Sequence, residues 1–242
     1  MTPRIIILIR FPRYETQVVD RRKFLLGAAP AIGLSALVST GCERRTRAQD
    51  PYVPSYFRPT EWEFVQAAVS RLIPSEGAGP GGIEASVPEF IDRQMELPYG
   101  HGAFFYLKGP FRPESPAALG YQLRYTPREI YRLGIGDTNA TARQIHGIDF
   151  ARLDATQQDQ FLESMEKGLL EFPTVPASAL FAQLLENTRE GYFSDPIYGG
   201  NRDMVAWRWI GFPGARADFT DWIDQAGAEY PYGPVSIGGT KA

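Results

Sequence analysis

Two histidines, His101 and His146, are the only side chains of this 242-residue sequence whose ordinary titration range suits proton transfer near neutral pH. His101 stands between Gly100 and Gly102, and His146 precedes Gly147. Neither has a nucleophile or carboxylate at a spacing that would orient it as a base. With a single cysteine, Cys42, the chain lacks the three or four Cys/His ligands of a structural zinc site. The pairs Asp154/Asp159 and Glu163/Glu166 fall on helix-like stretches and read as a solvated face. Asp195 and Asp203 flank Gly199-Gly200 and could hold a cation, but their positions better suit capping of the turn and of the helix that follows. No G-x-G-x-x-G follows a strand, no C-x-x-C-H motif attaches a haem, and the glycine-rich "SEGAGPGGIEAS" lacks the Gly-Lys-Ser/Thr of a phosphate-binding loop.

The densest segment is "GYFSDPIYGGNRDMVAWRWIGFPGA", Gly191 to Ala215. Its residue types are those of protein–protein interface cores, where Trp, Tyr, Phe, Met and Arg concentrate. Tyr198, Arg202, Met204, Trp207, Arg208, Trp209 and Phe212 form the expected docking set, although some of these aromatics must serve the chain's own core. Trp207 and Trp209 are two apart, so on a helix they point in different directions. One should face inward and the other a partner; the spacing does not say which.

Charge is unevenly distributed. Residues 1–42 carry six basic and two acidic side chains, so with a whole-chain net charge of −3 the remainder carries −7. An acidic body disfavours nucleic acid as a partner. Within residues 20–42, "DRRKFLLGAAPAIGLSALVSTGC", two arginines precede a short apolar run broken by Gly27, Pro30 and Gly33. This run is too short to span a membrane and fits a secretory signal. The order Arg21-Arg22-x-Phe24-Leu25 resembles a twin-arginine (Tat) signal, which exports folded proteins. Cleavage near residues 40–50 is the favoured reading. Lipid attachment at Cys42 is the lesser one, because Ser39 stands where a lipoprotein signal has Leu. Residues 1–19 are unusual ahead of such a leader, and initiation at the Val19 codon would remove them.

The elements that must position the docking set are helical. "RRTRAQDPYVPSYFRP" reads as a linker and extended arm, giving a domain division of 1–42 for the signal, 43–59 for the arm and 60–242 for a helical domain. "TEWEFVQAAVSRLIP" has Thr60 and Glu63 at capping-box spacing, with Trp62, Val65, Val69 and Leu72 on one face. "VPEFIDRQMEL" places Pro88 in a first turn. Residues 98–125 form a long loop rich in Gly, Pro and aromatics, of the kind that is functional or wraps something. Thr126, Pro127 and Glu129 start the next helix, with Ile130, Leu133 and Ile145 marking its buried face. Asp154 caps a further helix that Gly168 ends. "VPASALFAQLLENTREGYF" is the strongest helix, with Leu180, Leu184, Leu185 and Phe181 on its stripe. "DPIYGGN" is a turn and "MVAWRWIG" a short helix. No stretch alternates as a strand for long, so the expectation is a single all-α domain of about five or six helices with long connections. The lack of alternating strands also argues against a periplasmic ligand-binding protein.

Together, the twin-arginine leader, "EWEFVQAAVSRLIP", "SVPEFIDRQMELPYG", "GPFRP", "LGYQLRYTPREIYRLGI" and "FSDPIYGGNRDMVAWRWIGFPGA" resemble the gluconate 2-dehydrogenase subunit 3 family, over nearly all of the chain from Asp20 to about Ile223. The resemblance implies a small, non-catalytic accessory subunit with no cofactor of its own. Its partner would be a large FAD-dependent sugar or sugar-acid dehydrogenase of the glucose-methanol-choline type. A cytochrome c subunit carrying haem c would often complete a complex associated with the inner membrane. The chain would carry the Tat signal for a partner without one, engage the Tat translocase, reach the periplasm and help its partner mature. The alternative is a subunit that itself contributes to the substrate or electron path. If translation starts at Val19, replacing its codon by a valine codon that does not initiate should abolish expression; undiminished expression would place the start elsewhere.

Overall fold

The computed structural model describes residues 52–75, 79–217, 219–228 and 230–241. Arg21, Arg22, Phe24, Leu25, Cys42, the Val19 start and the first part of the arm lie outside the described residues. Six α-helices are described: α1 (Pro59–Leu72), α2 (Val87–Glu96), α3 (Pro127–His146), α4 (Ala155–Glu166), α5 (Ala177–Phe193) and α6 (Val205–Ile210). Among the described residues there is no regular strand, only isolated bridges joining Gly214 to Val235 and Val235 to Lys241. The chain from Asp50 to Ala242 forms one compact unit, in agreement with an all-α single domain.

The helices begin and end where local chemistry favours it. At α3, Thr126 Oγ1 accepts from the Glu129 amide and Glu129 Oε2 accepts from the Thr126 amide, so each covers an N–H that the first turn leaves unpaired. Gly147 ends α3 at φ +80°, a conformation that suits glycine. Asp154 and Gln157 make the equivalent reciprocal pair at α4. The start of α1 differs from expectation. Pro59, not Thr60, opens the helix, and Glu61 Oε2 accepts from the Arg58 amide at 2.8 Å, while Glu63 is exposed. A proline needs no amide partner in the first turn, so the start moves upstream of Thr60.

The stripe of α5 packs against α2, α3 and α4, with Leu180 and Leu184 fully buried. Glycines allow two close crossings. A Cβ on Gly134 of α3 would lie 2.9 Å from Leu180, and one on Gly191 would lie 2.7 Å from Phe90 of α2. Helix α1 covers the other side, with Phe64, Val65, Ala68 and Val69 buried and Phe64 stacked near Phe150. Ile145 departs from expectation, being 56 % exposed. Ala142 is the last buried residue of α3, so the final turn runs beyond the core.

The arm is not free from Tyr52 onward. Asp92 of α2 is fully buried, and its carboxylate takes hydrogen bonds from Tyr52 Oη (2.8 Å), Ser55 N (2.7 Å), Ser55 Oγ (2.9 Å), Tyr56 N (3.0 Å) and Phe57 N (3.0 Å). A buried charge is tolerated when it is this fully hydrogen-bonded. The fastening delivers Phe57 against Tyr131 and sets the Tyr56 ring beneath the guanidinium groups of Arg128 and Arg132. Arg132 also pairs with Glu61, which ties the arm, α1 and α3 into one joint.

Buried tyrosines are prominent. Tyr131 donates to Asn187 Oδ1 (3.1 Å), and Asn187 Nδ2 donates to Tyr99 Oη (2.8 Å). Burial, reinforced by Asp92, pushes the Tyr52 hydroxyl up to about 12. Burial also raises Tyr56, Tyr99, Tyr121, Tyr131 and Tyr192 above the ordinary 10.0. Groups whose folded pKa is raised stabilise the fold fully below their unfolded value and progressively less as pH climbs through the folded one. Stability should therefore hold up to about pH 10 and fall beyond it, with unfolding and tyrosinate absorbance rising together. Asp92→Ala should cost about 3 kcal/mol or more in urea unfolding, because five donors lose their acceptor. It should also expose the arm to limited proteolysis before the helices.

Candidate functional site

The segment after α5 is built from an internal frame and an exposed skin. Asn201, fully buried, is the centre of the frame. Its Nδ2 donates to Ser194 O (3.0 Å) and its Oδ1 accepts from the Ala206 amide (2.9 Å), which anchors the first turn of α6. Asn201, Asp203 and Met204 all have positive φ (43°, 55° and 54°), although none is glycine. Such residues persist only where surrounding contacts enforce them. Here the Asn201 bonds and the Arg202 amide donating to Ala85 O (3.1 Å) do so. Asp203, expected to cap α6, is exposed and makes no such bond; the capping acceptor is Asn201.

Asp195 does cap its turn. Its Oδ1 accepts from the Ile197 amide (3.0 Å), while Oδ2 accepts from the Ile237 amide (2.6 Å). The same carboxylate thus joins the "DPIYGGN" turn to the C-terminal tail. The tail is held a second time where the Ala215 amide donates to Val235 O (2.7 Å) and the Val235 amide to Pro213 O (3.2 Å). Gly199, at φ +99°, lies directly against the Arg93 side chain of α2. Asp195 is thus occupied by the amides of the turn and the tail, whereas Asp203 is exposed. Among the described residues no group of three or more His, Cys, Asp and Glu could hold a metal ion. His101 is exposed, with its Nε2 2.6 Å from the Arg128 guanidinium and no carboxylate behind it; His146 is exposed at the end of α3.

The structure divides the expected docking set. Trp207 is 6 % exposed, donates from Nε1 to Phe193 O (2.9 Å) and stacks edge-on with Phe212. Met204 is 1 % exposed. Both serve this chain's own interior and leave the surface set. Trp209 is 53 % exposed, with the near side of its ring against Gly79. Tyr198 and Phe212 are about half exposed; Arg202 is exposed and paired with Glu89 (3.1 Å); Arg208 is exposed and pairs with no described carboxylate. The question left open by the Trp207/Trp209 spacing is thus answered: Trp207 faces inward. Three further exposed apolar side chains were not singled out in the sequence. Ile197, Ile210 and Ile237 are exposed on the same turn, helix and tail. Selection by interface-enriched residue types passes over isoleucine, and nothing local shows that the tail returns to the turn.

A family model described as gluconate 2-dehydrogenase subunit 3 matches residues 59–214. The chain belongs to the gluconate 2-dehydrogenase subunit 3 family. No curated protein and no solved structure matches it. The matched region of this subunit 3 chain opens at the first residue of α1 and closes at Gly214, the residue bridged to Val235. The positions Tyr198 to Phe212 and α5 therefore lie inside the family region, whereas residues 52–58 of the arm and the tail beyond Gly214 lie outside it. Membership of a subunit family implies partner subunits. Among the described residues no helix is long and apolar enough to cross a membrane.

The two tryptophans should respond differently to truncation. Trp207→Ala should destabilise the fold by about 3 kcal/mol or more, while Trp209→Ser should shift stability by less than about 1 kcal/mol. Thermal unfolding of the two variants checks the assignment, and a reversed order would exchange their roles.

Proposed function

We propose that this chain is the non-catalytic small subunit of an acceptor-linked, FAD-dependent sugar or sugar-acid dehydrogenase. In this reading the flavin is held by a large subunit of the glucose-methanol-choline type, and haem c by a cytochrome subunit of the same complex. The complex sits at the periplasmic face of the inner membrane. The twin-arginine leader exports the folded assembly, and this chain stabilises or matures the large subunit.

The observation that carries the reading is the pairing of a rigid frame with an apolar skin inside the family region. Asn201 and Asp195 hold the backbone, and Tyr198, Trp209, Ile210 and Phe212 project from it half exposed. Aromatic side chains held on a fixed backbone lose little entropy on association, which favours their use as anchors. Arg208, exposed beside them and paired with no carboxylate among the described residues, adds a charged donor at the rim.

Changing Arg21 and Arg22 together to Lys should leave dehydrogenase activity in the cytoplasmic fraction of cells expressing the full complex. Normal periplasmic activity would overturn the export role. A tagged chain with Trp209→Ser and Phe212→Ser should retain much less flavin on purification than the wild type, at unchanged expression. Equal retention would remove this face from the interface.

A further inference from the structure

The loop that connects α2 to α3 is a second exposed aromatic surface, distinct in its residues from the face just described. Its interior is ordered: the Phe105 ring lies between Tyr99 (6.0 Å) and Tyr121 (5.0 Å), and the Tyr121 hydroxyl donates to Tyr125 O. The side chains on either side of Phe105 point outward instead. Phe104 is 78 % and Tyr106 74 % exposed, with Leu119 also largely exposed. Solvent alone does not favour bulky apolar groups held out on a supported loop.

The charge of the loop is opposite to that of the body. Residues 98–125 carry Lys108, Arg112 and Arg124 against Glu114 alone, on a chain whose residues 43–242 sum to −7. Lys108 and Arg112 are exposed and pair with no described carboxylate. Where the loop meets the start of α5 there is an open groove of about 860 Å³, lined by Phe111, Leu123, Leu170 and Phe172 on its apolar side and by Arg124 and Glu171 among its polar residues.

We propose that this loop and its groove form a second docking face, whose partner is a protein surface with carboxylates surrounding a protruding apolar side chain. The carboxylates meet Lys108 and Arg112, and the apolar side chain seats in the groove. This rests on the assembly proposed above and adds to it the chemistry of the partner's surface. A concave seat with an apolar side fits a projecting side chain, the usual form of an interface anchor, whereas a bilayer is flat. Electrostatic attachment to anionic lipid also draws on clusters of about four to eight basic residues. Three basic residues on an acidic body do not reach that number.

The test uses the full complex, purified through a tag on this chain, with bound flavin per chain as the readout. Lys108→Glu with Arg112→Glu, and separately Phe104→Ser with Tyr106→Ser, should each lower flavin retention about tenfold in dilute washes. All four residues are exposed, so thermal unfolding should stay unchanged. Wild-type retention should also fall as salt rises towards about 0.5 M, while the Glu double variant should lose that dependence. Wild-type retention with unaffected loop variants overturns this inference and leaves the assembly standing. Failure of the wild type to retain flavin overturns both. Loop-dependent sedimentation of the purified chain with phosphatidylglycerol vesicles, absent with phosphatidylcholine vesicles, would overturn it in favour of a membrane contact.

Discussion

The carboxylate of Asp92 receives five hydrogen bonds from the stretch Tyr52–Phe57 while lying wholly out of solvent. Removing a carboxylate from water is strongly unfavourable unless its lone pairs are met by donors. Here three of those donors are consecutive backbone amides, Ser55 to Phe57, where the chain bends, and satisfying the charge and shaping the arm are the same event. The arm's aromatics then complete the joint, with Phe57 entering the core beside Tyr131 and Tyr56 lying under Arg128 and Arg132. Because Arg132 also holds Glu61 at the start of α1, this joint links α1, α2 and α3 beside their packing in the core.

Much of the helical framework could be read from residue order, because helix signals are local. Thr126 with Glu129, Asp154 with Gln157, and the Leu180/Leu184 stripe each act within a turn or two of where they are written. What escaped reading was non-local. Asp92 is one acidic residue in an amphipathic helix, and nothing nearby in sequence says that it binds a segment 35 to 40 residues earlier. Likewise Asn201, rather than Asp203, reaches Ala206, because a run of left-handed residues reorients the backbone between them. Residue-type preferences for helix caps do not anticipate such a path.

The docking segment shows the same division. Its composition indicated an interface, but Met204 and Trp207 turned out to support the surface rather than form it. The distinction is one of direction. Trp207 reaches back to Phe193 O at the end of α5, while Trp209, on the same short helix, is turned towards solvent. An aromatic-rich segment can do both jobs at once, since a surface presents apolar groups in fixed positions when others of the same kind hold it from beneath.

The second oxygen of Asp195 closes on the Ile237 amide, 42 residues further along the chain. The turn that carries Ile197 and Tyr198 is therefore complete only when the tail has folded back onto it. A chain stopped anywhere between the two would present Asp195 with an unmet lone pair and a face lacking Ile237. Coupling the turn to a distant tail in this way means that a change in the tail reaches the turn through one shared carboxylate.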